Sequence, residues 1–179
     1  MKMERVWAMP NKWTFIIKPI KRLIQEEMAD SRPWLDPFAG NHSPAHWKND
    51  INPNTNAECH MDAVEYLKKL KKSKITFVGA FFDPPYSPRQ FKECYDMLKL
   101  KAPIEVFNAG YLARCRDLIE QLIAPHGKVI SFGWNSNGIG KKRGFEIERV
   151  LLVAHGSGHN DTIVTVERKI QTTLKEMMR

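Results

Sequence analysis

The sequence predicts an α/β fold, a three-layer sandwich around a mixed, mostly parallel sheet that closes with a C-terminal antiparallel hairpin. Two observations carry this. After residue 13, short apolar runs alternate with amphipathic helical stretches, the rhythm of strands joined by crossover helices. Near the C-terminus that rhythm changes: "FEIERVLLVAH" and "DTIVTVERK" are separated only by "GSGHND", a connection short enough for a hairpin. With 179 residues, 42% of them hydrophobic, the chain can bury one sizeable core, so residues 1–179 read as a single domain.

The elements follow in order. In "IIKPIKRLIQEEMAD", Pro19 suits the first helical position and Ile20, Leu23, Ile24 and Met28 share one face. "WLDPFAG" reads as a short strand ending at Asp36, and "WKNDIN" as a second ending at Asp50. "HMDAVEYLKKLKK" begins a helix near Asp62, with Ala63, Leu67 and Leu70 facing inward. "ITFVGAFFDPPY" is a strand rich in β-branched and aromatic residues. Proline has no backbone N–H, so Pro84 and Pro85 end its sheet pairing and leave Asp83 at the strand's C-terminal end. Ser87, Pro88 and Gln90 make an S-x-x-Q capping box for a helix whose inner face is Phe91, Cys94, Tyr95 and Leu98. A further helix carries Tyr111, Cys115, Leu118, Ile119 and Leu122 and stops at "APHG", before the buried strand "KVISFGW".

Charge narrows the partners. Twenty-eight Lys and Arg against twenty Asp and Glu give a formal charge of +8, a field that attracts polyanions, so nucleic acid is the expected partner. Three cysteines, Cys59, Cys94 and Cys115, show no disulfide spacing and suit a reducing compartment. No stretch approaches the length of an apolar membrane span, and the expected location is cytoplasmic. No metal site is expected: His42 and His46, like His155 and His159, are four apart, but Pro44 and the glycines oppose the helix that this spacing needs. A homodimer is compatible with the chain and is left open.

In open α/β sheets ligands bind beyond the carboxyl ends of the strands, and Asp36, Asp50, Asp62 and Asp83 are all delivered to that rim. Each alone is as readily a cap or a turn former. Three motifs in one order favour a site. "DPPY" (residues 83–86) resembles the catalytic motif of amino-group DNA methyltransferases, "DPFAG" (36–40) their cofactor loop, and "FIIKPIKRLI" (15–24) their N-terminal cofactor motif. The order is similar to that of Dam-like adenine methylases, and the run from Ser131 to Glu167 resembles small phage and prophage enzymes, so that the likeness spans most of residues 13–170.

The resemblance implies a class I methyltransferase fold, Rossmann-like, and transfer of a methyl group from S-adenosylmethionine to the N6 amine of adenine in DNA. RNA or the N4 amine of cytosine are alternative acceptors, and a catalytically silent nucleic-acid-binding protein is the alternative outside enzymes. It implies catalytic roles for Asp83, Pro84, Pro85 and Tyr86. Asp83 and the Pro84 carbonyl would accept the two amine hydrogens, and Tyr86 would stack on a base turned out of the helix. For the cofactor it implies Lys18 at the methionine carboxylate, Asp36, Pro37, Phe38, Ala39 and Gly40 in the methionine loop, Asp50 at the ribose and Asp62 at the adenine. An aspartate rather than a serine at the head of the motif favours adenine over cytosine. Carbon-5 cytosine methylation needs a thiolate, generally in a Pro-Cys pair, and none of the three cysteines follows a proline.

The chain also departs from the family. Asn41 stands where a second loop glycine is usual, and the stretch from Gly40 to Asp50 is too short for a full crossover helix. Between Tyr86 and Tyr111 there is room for one helix and a loop, so no large target-recognition domain is expected. The DNA surface then falls to Arg89 and Lys92 together with "GWNSNGIGKKRG", in which Trp134, Lys141, Lys142 and Arg143 would lie in a flexible loop suited to phosphate contacts.

Overall fold

The computed structural model describes residues 1–28, 33–156 and 158–170. Ala29 and Asp30, at the end of the first predicted helix, and Ser157, in the predicted hairpin turn, lie outside the described residues. Among the described residues, α-helices and strands follow one another as β1 (Lys2–Trp7), α1 (Lys18–Glu27), β2 (Trp34–Asp36), β3 (Trp47–Lys48), α2 (Ala63–Lys72), β4 (Phe77–Phe82), α3 (Pro88–Met97), α4 (Ala109–Leu122), β5 (Ile123–Gly133), β6 (Phe145–Ala154) and β7 (Thr162–Lys169). The strands form one sheet in the order β1-β6-β7-β5-β4-β2-β3. β3, β2, β4 and β5 run parallel, whereas β7 is antiparallel to both β5 and β6.

Each face of the sheet is covered because each is apolar. On one face α2, α3 and α4 bring Leu67, Phe91 and Ile119 against Leu35, Phe82 and Val129 of the strands. On the other, Ile20, Leu23 and Ile24 of α1 cover Trp34, Phe81, Ile130 and Val164. Trp34 lies flat against Phe81, with ring centroids 4.9 Å apart. Glycine is required beside it, since a Cβ on Gly79 would stand 2.4 Å from the Trp34 ring.

Four local expectations need correction. β1 was not anticipated: it is an edge strand paired in parallel with β6, with only Glu4 and Val6 partly buried. "APHG" does not separate α4 from the next strand; β5 begins at Ile123, directly after the helix, and takes up the strain through a register shift and a left-handed His126 (φ +63°). The capping box is half formed. Ser87 accepts from the Gln90 amide, but the Gln90 side chain accepts from the Tyr86 amide and so fixes the end of the DPPY segment rather than closing the cap. Finally, Lys141–Arg143 form a single 3₁₀ turn and not a loose loop. Buried Glu167 accepts from the Ile139 and Gly140 amides, Arg116 donates to the Gly138 carbonyl, and Arg143 donates to Asp117 and to the Ile139 carbonyl.

Candidate active site

β2, β3 and β4 end at the same edge of the sheet because they run in parallel. Beyond that edge lies a cleft of about 520 Å³, a size suited to a cofactor or a substrate of drug-like dimensions. Asp50, Asp62, Asp83, Pro84, Pro85 and Tyr86 all line it, as do Pro37, Phe38 and Gly40.

Asp83 is the first residue after β4 and half-buried. Burial pushes its carboxyl up to about 6, against the lowering effect of hydrogen bonds from Tyr86 and Thr14. The Tyr86 hydroxyl donates to Asp83 Oδ1. The Tyr86 phenol itself is pushed far above its ordinary value, chiefly by burial. Thr14 and its neighbour Trp13 belong to the N-terminal segment and also line the cleft.

Asp50 is held by two amides: Gly40 N–H donates to Oδ2 at 2.8 Å and Asn52 N–H to Oδ1 at 2.8 Å. That ties the loop after β2 to the loop after β3, and it leaves lone pairs free for hydroxyl groups. Gly40 takes φ +54°, a left-handed geometry that favours glycine at this turn. Asn41 instead accepts from the Asn56 amide through its side chain. Asp62 caps α2 through the Val64 and Glu65 amides and accepts from the Tyr111 hydroxyl at 2.7 Å. The structural role and the cleft-lining role thus coincide in one side chain.

Other predicted residues lie elsewhere. Asp36 is fully buried beneath the cleft, accepting from Phe38 N–H at 2.9 Å and Ser43 Oγ–H at 2.6 Å. Burial pushes its carboxyl up to about 8. It shapes the loop without lining the cleft. Ala39 is likewise buried, its amide donating to the Asn49 carbonyl. Lys18, the first residue of α1, lines a second groove with Lys2, Glu4 and Arg149, and not the cleft. Arg89 and Lys92 project from α3 in exposed pairs with Glu93 and Asp96, pairs weak enough to exchange for phosphate. Trp134 follows β5 and meets the Tyr86 ring edge-on, with centroids 5.6 Å apart.

Asn49 escaped the sequence reading. It is fully buried, and its amide donates to the Pro37 carbonyl (3.1 Å) and the Met61 carbonyl (3.0 Å) while its Oδ1 accepts from Met61 N–H (3.2 Å). Three cleft loops are joined through one side chain. Its only signal in the sequence is its place before Asp50 at a strand end. Among the described residues no group of three or more His, Cys, Asp or Glu converges as a metal site, and no helix is long and apolar enough to cross a membrane.

The donors fit the cofactor that the sequence implies. S-adenosylmethionine is a cation with ribose hydroxyls and an adenine ring, and the cleft offers carboxylates from Asp50 and Asp62 beside the apolar walls of Phe38, Phe91 and Tyr95.

No protein-family model matches the chain, and no curated protein matches it by sequence. Solved structures do. SMU.776, solved in complex with SAH, superposes with a TM-score of 0.55 at 12% identity over 83% of this chain and 49% of its own. NodS, an N-methyltransferase from Bradyrhizobium japonicum, gives 0.54 at 8% identity, covering 86% of this chain and 96% of its own. TrmN from Thermus thermophilus gives 0.50 at 15% identity, covering 87% and 49%. The chain spans about half the length of SMU.776 and TrmN. At such identities the likeness concerns the fold, and with the sheet order and the placement of the cleft it establishes that the chain has the class I fold of S-adenosylmethionine-dependent methyltransferases.

Proposed function

We propose that the chain transfers a methyl group from S-adenosylmethionine to the N6 amine of adenine in DNA. The observation that supports this most is the placement of Asp83 and Pro84, at the end of β4, in the same cleft as Asp50 and Asp62. Bound there, S-adenosylmethionine supplies an electrophilic methyl group. Asp50 and Asp62 would hold its ribose and adenine.

The remaining work falls to the chain's own groups. The adenine amine is a poor nucleophile because its lone pair is delocalised into the ring. Asp83 accepts one amine hydrogen and the Pro84 carbonyl the other, which favours a pyramidal nitrogen with its lone pair directed outward. When nitrogen gains the methyl group it must lose one proton. A carboxyl near 6 is basic enough to take that proton and acidic enough to release it to solvent at neutral pH. Tyr86, held at its amide by Gln90, presents its ring to the base. Arg89 and Lys92 on α3, and Lys141, Lys142 and Arg143 in the 3₁₀ turn, would supply phosphate contacts, with Arg143 held by Asp117.

The test is transfer of labelled methyl from S-adenosylmethionine to mixed-sequence DNA by the wild type and by Asp83→Ala. The wild type should label the DNA, and the variant should fail while keeping its fold and its cofactor affinity. Tight cofactor binding by the wild type with no transfer to any DNA would refute the proposal.

A further inference from the structure

We propose, building on the methyl-transfer reading above, that the substrate is an unpaired DNA strand, whose bases next to the target stack on an aromatic strip running from Trp13 past Tyr86 to Trp134. Trp13 lines the same cleft as Asp83 and Tyr86. Its neighbour Thr14 lines the cleft as well and interacts with both. On the other side Trp134 keeps 44% of its surface exposed while its ring meets Tyr86 at 5.6 Å. Two aromatic rings, Trp13 and Tyr86, therefore line the cleft, and a third, Trp134, packs on Tyr86 outside it.

Cationic and polar groups accompany the strip. The Lys12 ammonium lies 4.9 Å from the Trp13 ring centroid, and the His42 ring meets the same indole edge-on at 5.1 Å. Arg89 is exposed on α3, directly after the Tyr86 turn. Stacking rings alternating with cations is the pattern that holds single strands, because every base has a face to stack and every phosphate a charge to meet. Duplex DNA asks for something different. The target must be turned out of the stack against pairing and stacking energy, a cost that is least for a base already unpaired. Among the described residues, α3 and one 3₁₀ turn lie between the catalytic motif and α4.

The experiment compares one adenine-containing oligonucleotide as a single strand and annealed to its complement, measuring kcat/KM for methyl transfer and, separately, equilibrium binding without cofactor. The single strand should be favoured at least tenfold in both. Trp134→Ala and Trp13→Ala should each weaken single-strand binding by about 5- to 150-fold, the range that one stacked base contributes. Because Trp134 does not line the cleft, Trp134→Ala should keep its affinity for S-adenosylmethionine, and Trp134→Phe should restore most of the strand binding. A duplex used as well as the single strand would overturn this inference while leaving the methyl-transfer reading intact. So would an unchanged strand affinity in Trp134→Ala, or an RNA strand of the same sequence that outcompetes the DNA. Transfer to neither form, with strand binding as predicted, would instead refute the methyl-transfer reading.

Discussion

Replacing Asn49 with alanine tests whether the cleft is held together by one buried side chain. The substitution removes three hydrogen bonds and leaves the Pro37 carbonyl, the Met61 carbonyl and the Met61 amide without those partners. An orphaned buried polar group costs about 1 to 3 kcal/mol. Pro37 and Met61 border the cleft, so water can replace part of what is lost, and the expected destabilisation is about 3 kcal/mol in total. Equilibrium unfolding in urea measures it directly. For a slope of about 2 kcal/mol per molar, the midpoint should fall by about 1.5 M with the slope unchanged. Cofactor affinity should fall as well, since the loops bearing Phe38, Asp50 and Asp62 lose their common tie. Asn49→Asp should be worse, because it turns acceptor oxygens toward two carbonyls. A loss below about 1 kcal/mol with unaltered cofactor binding would refute the reasoning.

Other expectations follow from the buried carboxyls and the glycines. Asp83 titrates near 6, so the acceptor form disappears below that pH; the single-turnover rate should drop as pH falls from 7 to 5, and a flat profile would contradict its role. Asp36, raised to about 8 by burial, binds a proton more tightly folded than unfolded, so its contribution to stability declines as pH rises from about 4 to about 8, by at most about 1.4 kcal/mol per unit. Asp36→Asn should therefore gain on the wild type between pH 5 and pH 9 in urea unfolding, and a constant gap would count against it. Gly40→Ala should cost about 1 kcal/mol, from its left-handed φ alone, because nothing lies within 4 Å of the added Cβ. Gly79→Ala meets the Trp34 ring at 2.4 Å and should cost clearly more in urea unfolding.

What could be read from the sequence followed from backbone chemistry. Pro84 and Pro85 cannot pair in a sheet, which places Asp83 at a strand end whatever the rest of the chain does. The Ser87 cap and the inward faces of α1 and α2 are equally local properties. What could not be read depends on partners distant in the chain. A carboxylate in a "DPFAG" loop looks the same whether it faces the cleft or, like Asp36, points down to Ser43. Lys18 follows the expected motif, but the start of α1 turns it toward β1 and β6, and β1 was itself hidden because an edge strand alternates charged and apolar residues weakly. Asn49 acts through Pro37 and Met61, each twelve positions away. Thr14 reaches Asp83 across about seventy residues, a separation that periodicity does not report. Arg143 was read as a free phosphate ligand, yet Asp117, on α4, orients it.

The central claim concerns which nitrogen receives the methyl group. DNA incubated with the protein and labelled S-adenosylmethionine, then digested to nucleosides and separated by mass, answers it in one measurement. The account predicts that the label appears in N6-methyldeoxyadenosine and in no other nucleoside. Label in N4-methyldeoxycytidine, or its absence from every nucleoside while the cofactor is demonstrably bound, would contradict it.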